Sequence, residues 1–581
     1  ANLKPGKNYE RLYAAAECRA EADWLVGLNV TRALTCKYNA QLSAGRVQTP
    51  TLALVVEREN EIKKFVPKDY WTVQAGVNGF NLQWQDRANG QTRIFDHARA
   101  EAIVTKVSGQ TGMVSEVKKE TKRELPPLAY DLTELQRDAN RKYGFSAKQT
   151  SAIMQQLYEH HKLVSYPRTD SRYLSEDIVP TLPERLKSIA TGAYAEPARQ
   201  ILKNKLIVTK RLVDNAKVTD HHAIIPTEEP VYLSKLRPEE LKVYDLIVRR
   251  FLAVLAPVFE YEQTTVKFEV KGELFVARGR IVKAKGWRVF YGDLDGWEDD
   301  SAEEKTTQIL PAINQDVTLK VHSAKTVSGQ TKPPARYTEA TLLSAMEHPG
   351  KTIDNRELRE TLENTSGLGT PATRAEIIEK LFNSFYMERN GKEIRPTSKG
   401  VQLVGLVPTG LRSAELTAKW EQQLTEIGKG KVGRETFITS IRGYAAQLVT
   451  NVIGSMQNYR HDNLTRVKCP QCGKFLLQVK GKRGEMYVCQ DRECGYRQGI
   501  SQLSNARCPE CHKKMEIRGE GENKLFTCVC GYREKLAAFN KRKEAAKGAG
   551  NKREVQKFLQ QQKQAQPLNT ALADALAKLR K

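Results

Sequence analysis

Two groups of residues in this chain have the types and spacing to do chemistry. In Ser165-Tyr166-Pro167-Arg168-Thr169-Asp170-Ser171 a phenol stands beside a rigid proline, with a guanidinium two residues on. A phenol oxygen can attack phosphorus to form a phosphotyrosine ester, and a guanidinium steadies the non-bridging oxygens whose charge builds in the transition state. The chain has 21 tyrosines, most of which must pack or lie half-exposed, so residue type alone does not single out Tyr166.

The second group is cysteine. Eight of the ten fall between Cys469 and Cys530. Cys469-Pro-Gln-Cys472 is followed by Cys489 and Cys494, and Cys508-Pro-Glu-Cys511 by Cys528 and Cys530. A 39-residue offset lays Cys469 on Cys508, Cys472 on Cys511, Cys489 on Cys528 and Tyr487 on Phe526. With no export signal, metal binding is favoured over disulfides. Each set supplies four thiolates to one tetrahedral zinc, the closed coordination of a structural site, and the duplicated spacing argues against fortuitous reactive thiols. Tyr487, Tyr496, Phe526 and Tyr532 lie among Lys and Arg, where they either stack on bases or fill two small cores. Cys18 and Cys36 have no partner at metal spacing and read as ordinary buried thiols.

The elements that must position these groups follow from periodicity. Residues 1–65 read as helical, in two stretches separated by LSAGRVQTP. From Tyr70 short alternating runs suit strands, and a similar stretch returns near Thr264. Between them, DLTELQRDANRKY ends at Gly144, and Ser146 with Gln149 predicts a capping box opening a helix. That helix puts Ile153 and Leu157 on one face and runs out near His161. Helices resume after Lys332, and a polar linker over 456–468 leads to the ribbons. The predicted organisation is helical over 1–65, strand-rich over 66–125, helical with Tyr166 over 126–262, strand-rich over 263–330 and helical over 331–455. Ribbons follow over 466–498 and 505–534, and a tail over 535–581. In this organisation the chain leaves one domain and returns to it.

The chain's 581 residues carry a formal charge of +25, enough to attract a polyanion, with nucleic acid the leading partner. The last 49 residues hold thirteen basic and four acidic residues, as a nucleic-acid arm or a solvated tail would. No run of eighteen apolar residues and no secretory signal is present, so a soluble cytoplasmic protein without a membrane partner is expected. No segment completes a phosphate-binding P-loop: Gly350-Lys351-Thr352 has Ala345 where the first Gly belongs, and Gly428 to Gly433 is followed by Arg434.

Six ordered segments carry a family resemblance: SAGRVQTPTLALVVEREN, FSAKQTSAIMQQLYE, LVSYPRTDSRYL, TDHHAIIPT, KPPARYTEATLLSAME and GLGTPATRAEII. Together they resemble the type IA DNA topoisomerases over about residues 10–445, most closely the bacterial topoisomerase III branch. The resemblance implies a multidomain α+β toroid, helical domains plus a β-rich arch, followed by two zinc ribbons and a basic tail. It makes Tyr166 the nucleophile holding a 5′ phosphate, Arg168 its phosphate-stabilising neighbour and His221 the histidine near the scissile phosphate. Arg46 and Gln48, with Thr370 and Thr373, fall in segments lining the family's single-strand groove, where a turn or a helix cap is the alternative. Cleavage without ATP, strand passage and religation would relax or decatenate DNA, preferably single-stranded, by a monomer at the bacterial nucleoid.

The family also needs magnesium, held by an acidic domain with an Asp-x-Asp-x-Glu cluster. The similar string here, Asp293-Leu294-Asp295, has Trp297 where the Glu belongs and reads as a surface loop. The expectation is therefore a fragment that lacks the metal-binding half, begins at Ala1 instead of Met, and relaxes supercoils poorly. A rolling-circle relaxase would need two histidines separated by an apolar residue, whereas His160-His161 and His221-His222 are adjacent pairs. A non-catalytic single-stranded DNA-binding zinc-ribbon protein is the alternative from another class.

Overall fold

The computed structural model describes residues 5–548, apart from 205, 292–307, 353–354, 364, 366, 482–483, 492 and 520. Asp293-Leu294-Asp295 and the tail beyond 548 lie outside the described residues. The chain divides into two units, one over 1–37 and 41–457, the other over 38–40 and 458–581.

The first unit opens with α1 (Glu10–Tyr38) and α2 (Gln48–Lys64). In α1, Cys18, Ala22, Val26, Val30 and Leu34 are fully buried at four-residue spacing, a narrow apolar stripe on one helix face. Cys36 corrects the expectation of two buried thiols. It lies two positions beyond Leu34, off the stripe, and is exposed.

Next come β1 (Asp69–Val77), β2 (Phe80–Trp84), α3 (His97–Val107) and β3 (Thr111–Glu124). A helical block follows with α4 (Leu132–Tyr143), α5 (Ala147–Gln155), α6 (Leu182–Ser188), α7 (Ala195–Lys203) and α8 (Pro238–Val254). Strands return as β4 (Phe259–Val270), β5 (Glu273–Ala284), β6 (Thr318–Lys320) and β7 (Ser323–Gln330). All seven form one antiparallel sheet in the order β6-β3-β4-β5-β2-β1-β7, so strands from before and after the helical block interleave. The β4–β5 hairpin turns at Lys271-Gly272, both at positive φ, the backbone of the two-residue turn whose twist matches its strands. One face of the sheet buries Val73, Leu82, Phe268 and Phe275 against Ala100, Ile103 and Val107 of α3.

In the helical block, Asp131 caps α4 by accepting from Glu134 N at 2.6 Å, and Gly144 ends it at φ 70°. Ser146 caps α5 through Oγ, which accepts from Gln149 N at 3.0 Å, and Gln149 returns no side-chain bond among the described residues. Only half of the predicted capping box forms. Ile153 and Leu157 are both buried, as the periodicity predicts, but the last turn, Gln156–His160, widens to a π-helix. The unit closes with α9 (Glu339–Glu347), α10 (Arg356–Glu363), α11 (Pro371–Asn383), β8 (Met387–Asn390) and β9 (Glu393–Pro396). After these come α12 (Ser398–Leu406), α13 (Thr409–Arg412), α14 (Glu415–Gly428) and α15 (Arg434–Gly454).

The second unit holds two four-stranded antiparallel sheets, β10 (Leu464–Lys468) to β13 (Arg497–Gly499), and β14 (Ser501–Arg507) to β17 (Arg533–Lys535). Between them lie β11 (Phe475–Gly481), β12 (Gly484–Cys489), β15 (Lys514–Arg518) and β16 (Leu525–Thr527), and α16 (Leu536–Gly548) ends the described chain. The repeat extends to strand register: Gln478 pairs with Tyr487 and, at the same 39-residue offset, Ile517 pairs with Phe526. No described helix is long and apolar enough to cross a membrane.

Candidate active site and metal centres

Tyr166 sits on an irregular extended segment stitched to the segment that carries His221. Val164 bridges Pro226, and Tyr130 bridges Ile224 from the other side. Ser165 N donates to Ile225 O at 2.9 Å, while Ser165 Oγ donates to Ala223 O and accepts from Ile225 N, both at 3.0 Å. Thr169 Oγ1, buried, donates to His221 O at 2.9 Å and accepts from Ser171 N at 3.0 Å. These bonds satisfy the backbone of two loops that have no regular ladder to join.

The consequence is a ring stack. The centroids of Tyr166 and His221 lie 4.0 Å apart with planes 28° from parallel. Tyr166 is half-buried, His221 and Arg168 are exposed, and Arg168 pairs with no carboxylate among the described residues. A guanidinium with no internal partner beside an accessible phenol is an anion site waiting for its anion. His222 is half-buried: its Nδ1 lies 2.8 Å from Ala223 O, and burial holds its pKa below the usual histidine value.

Sequence reasoning missed Tyr158. The π-turn carries it edge-on against Tyr166, with centroids 5.5 Å apart and planes at 89°, so the candidate nucleophile is held between two rings. Single π-turns in α-helices often mark functional positions. The sequence carried no local signal for this turn: Leu157 is buried as the periodicity requires, and only the fold shows the chain leaving the helix through Lys162 at φ 55°.

The expected groove residues all bond within the protein. Arg46 is 6% exposed, and its guanidinium donates to both carboxylate oxygens of Asp23, at 2.8 and 3.0 Å, and to Glu421 at 3.1 Å. Gln48, also buried, donates to Ser43 O and Oγ. Thr370 and Thr373 form the capping box of α11, with Thr373 Oγ1 accepting from Thr370 N at 3.0 Å. The two segments meet at Gly369, at φ 76°, where a Cβ would touch Val47 at 3.4 Å.

A second missed residue, Arg374, links these segments to the tyrosine loop. It is 1% exposed, donates to Thr133 Oγ1 at 2.8 Å and lies 3.6 Å from Glu347. Thr133 follows Leu132, whose N–H donates to Thr169 O at 3.2 Å. Arg137 pairs with Glu134 and Glu347 in the same buried cluster. There burial pushes the Asp131 carboxyl up to about 6, against the opposing pull of the Glu134 amide and Arg172.

The cysteines gather as two sets of four, Cys469, Cys472, Cys489 and Cys494, then Cys508, Cys511, Cys528 and Cys530, each with its sulfurs within 4.8 Å of one another. Individual Sγ pairs stand 3.3–3.6 Å apart, close to the spacing of about 3.8 Å that tetrahedral Zn–S bonds of about 2.3 Å require. Donor chemistry and geometry both fit zinc. Packing accounts for the aromatics: Tyr487 and Tyr496 lie against the first set, and Phe526 stacks on Phe539 at 4.1 Å beside the second. Among the described residues these are the only groups of three or more clustered metal-ligating side chains, and thiolates do not suit magnesium.

The sequence model of a family described as DNA topoisomerase matches residues 7–439. The chain belongs to the type IA DNA topoisomerases. DNA topoisomerase 3 of Bacillus subtilis is 53% identical over 579 residues, covering 99% of this chain and 79% of the relative. DNA topoisomerase 3 of Bacillus licheniformis is 52% identical over 582 residues, covering 100% and 80%. The solved structure of full-length topoisomerase I from Thermotoga maritima superposes with a TM-score of 0.59 at 25% identity, over 85% of this chain and 78% of that one. The fold is topoisomerase I-like, and the protein is a topoisomerase, an isomerase acting on DNA. These matches, which span nearly all of this chain and about four-fifths of each relative, do not show that a metal-binding half is missing. Nor do they support the non-catalytic alternative.

Proposed function

We propose that Tyr166 cuts one DNA strand by forming a phosphotyrosine with its 5′ phosphate, and that the strand is resealed after another passes through. The observation that carries this reading is the accessible Tyr166 phenol stacked on His221, with the Arg168 guanidinium, unpaired among the described residues, two residues on. As the Tyr166 oxygen bonds to phosphorus, the bond from phosphorus to the 3′ oxygen breaks. The phenol proton is released, and the departing oxygen takes one up as a hydroxyl. Arg168 balances the non-bridging oxygens, and His221 hydrogen-bonds beside them. One phosphodiester replaces another, so resealing requires no nucleotide hydrolysis. No step is assigned to magnesium, for which the described residues offer no suitable cluster.

Arg46, Gln48, Thr370 and Thr373 fit a supporting part in the single-strand groove. Their side chains hold two adjoining loops in shape, and the loop backbones meet the strand. The helical parts over 1–65 and 331–455 hold the strand, the block over 126–262 carries the nucleophile, and the strands over 66–125 and 263–330 form the arch. Zinc, one ion per cysteine set, would order the two ribbons, and with the basic tail they add affinity for single strands. Relaxation or decatenation of bacterial DNA in the cytoplasm, by a monomer, follows from this reading.

The test is incubation with a 3′-labelled single-stranded oligonucleotide, followed by denaturation. A labelled covalent adduct is expected from the chain and not from Tyr166→Phe. An adduct that survives that substitution, or none from the unsubstituted chain, removes the reading.

A further inference from the structure

The geometry points to a second binding site, for a single-stranded nucleic-acid segment that is not being cut, in a cavity of about 860 Å³ on the seven-stranded sheet. Strand alternation sends Val73, Leu82 and Phe275 into the core, and turns the intervening residues of β1, β2 and β5 to the opposite face. There Gln74 stands across from Gln83, and Gln83 across from Val276. Water-facing sheet surfaces commonly carry charged cross-strand pairs. This one carries amides, and in a chain with 68 acidic residues no carboxylate lines the cavity among the described residues, whereas Arg93 and Arg278 do.

The walls are built. Gln308 brackets Asn81 with its amide, accepting from Asn81 N at 3.0 Å and donating to Asn81 O at 2.6 Å. Phe95, which lines the cavity and is 54% exposed, meets the neighbouring Tyr70 edge to face at 6.3 Å, and the Arg93 guanidinium lies 4.8 Å over the Tyr70 ring. Tyr70 lies across from Gly329, where a Cβ would come within 2.5 Å of the ring, so the absent side chain makes the ring's seat.

Gln83, whose Nε2 donates to Val73 O at 3.1 Å, keeps its amide oxygen for base edges, Gln74 and Gln91 offer amide donors and acceptors beside it, aromatic rings stack on bases, and arginines balance phosphates. A neutral sugar would use the amides but not the arginines, and an acidic peptide would leave the amide row and the rings idle. None of the lining residues belongs to the segments that build the Tyr166 site, so occupancy is independent of cleavage and goes beyond the proposed function.

The test is photocrosslinking of the full chain, carrying Tyr166→Phe, to oligothymidylate containing 5-iododeoxyuridine, with peptide mapping. Adducts are expected on Tyr70 or Phe95. Adding Gln83→Ala and Arg93→Ala, both on the solvent face, should cut their yield about fivefold or more while the melting temperature and adducts elsewhere hold. No adduct on either ring, a yield indifferent to the double substitution, or displacement by a neutral oligosaccharide in place of unlabelled oligothymidylate would overturn it. Failure of the covalent adduct in the unsubstituted chain would count against Tyr166 alone and leave this site standing.

Discussion

The imidazole of His221 lies on the phenol ring of Tyr166, centroid to centroid at 4.0 Å, although some fifty residues of chain separate them. A stack of this kind holds the ring, and the imidazole nitrogens remain available to a phosphate. Removing one charge-assisted hydrogen bond costs about 1.5–3 kcal/mol. His221→Phe, which keeps a ring but no nitrogen, should therefore form the Tyr166 adduct about tenfold to a hundredfold more slowly in single-turnover cleavage. Full activity in His221→Phe would reduce the imidazole to packing.

Tyr158 touches the nucleophile only through its ring edge. An aromatic contact of this type is worth about 0.5–1.5 kcal/mol. Tyr158→Phe should cleave at nearly the original rate, and Tyr158→Ala about threefold to tenfold more slowly with oligonucleotide binding unchanged. An equal loss in both variants would assign the effect to the hydroxyl.

Thr169 is the buried clip between the two loops. Thr169→Val keeps the shape but leaves His221 O and Ser171 N without their partner, at a cost of about 1–3 kcal/mol. Urea unfolding should show that loss together with slower cleavage. Unchanged stability would mean that the loops are held elsewhere.

Asp131 titrates at about 6 in the folded chain, raised by burial from an ordinary 3.8. Its protonated form is the one the fold prefers, so its contribution is fully present below pH 3.8 and is lost as pH rises through about 6. Asn caps helices as well as Asp and carries no charge. Asp131→Asn should match the original melting temperature near pH 4 and exceed it above pH 6. Parallel curves across that window would refute the burial argument.

Zinc is the simplest to check. Elemental analysis should find two ions per chain, and one after either Cys472→Ser or Cys511→Ser. Chelation should unfold the ribbon sheets and leave the helical signal of the first unit in place, because short sheets with cores this small depend on the metal. Retention of ribbon structure without metal would contradict this.

Much of this was legible in the chain. The 39-residue cysteine repeat, the Ser146 cap, the Gly144 stop and the alternation of WTVQAGV are local patterns, and each reappears as expected. Local patterns did not reveal the π-turn that aims Tyr158, the exposure of Cys36, or the commitment of Arg46 to Asp23 and Glu421. An arginine in a loop looks the same whether its partner is a phosphate or a carboxylate nearly four hundred residues away.

Which residues can cap, alternate, ligate or attack is written in residue type and short spacing, because those properties act over a turn or a strand. Tertiary structure alone decided which distant segments share one site. Tyr166 meets His221, Thr169 joins Leu132, and Arg374 crosses to Thr133 because folding buries their backbone and charges together. A buried polar group must find a partner wherever in the chain that partner lies.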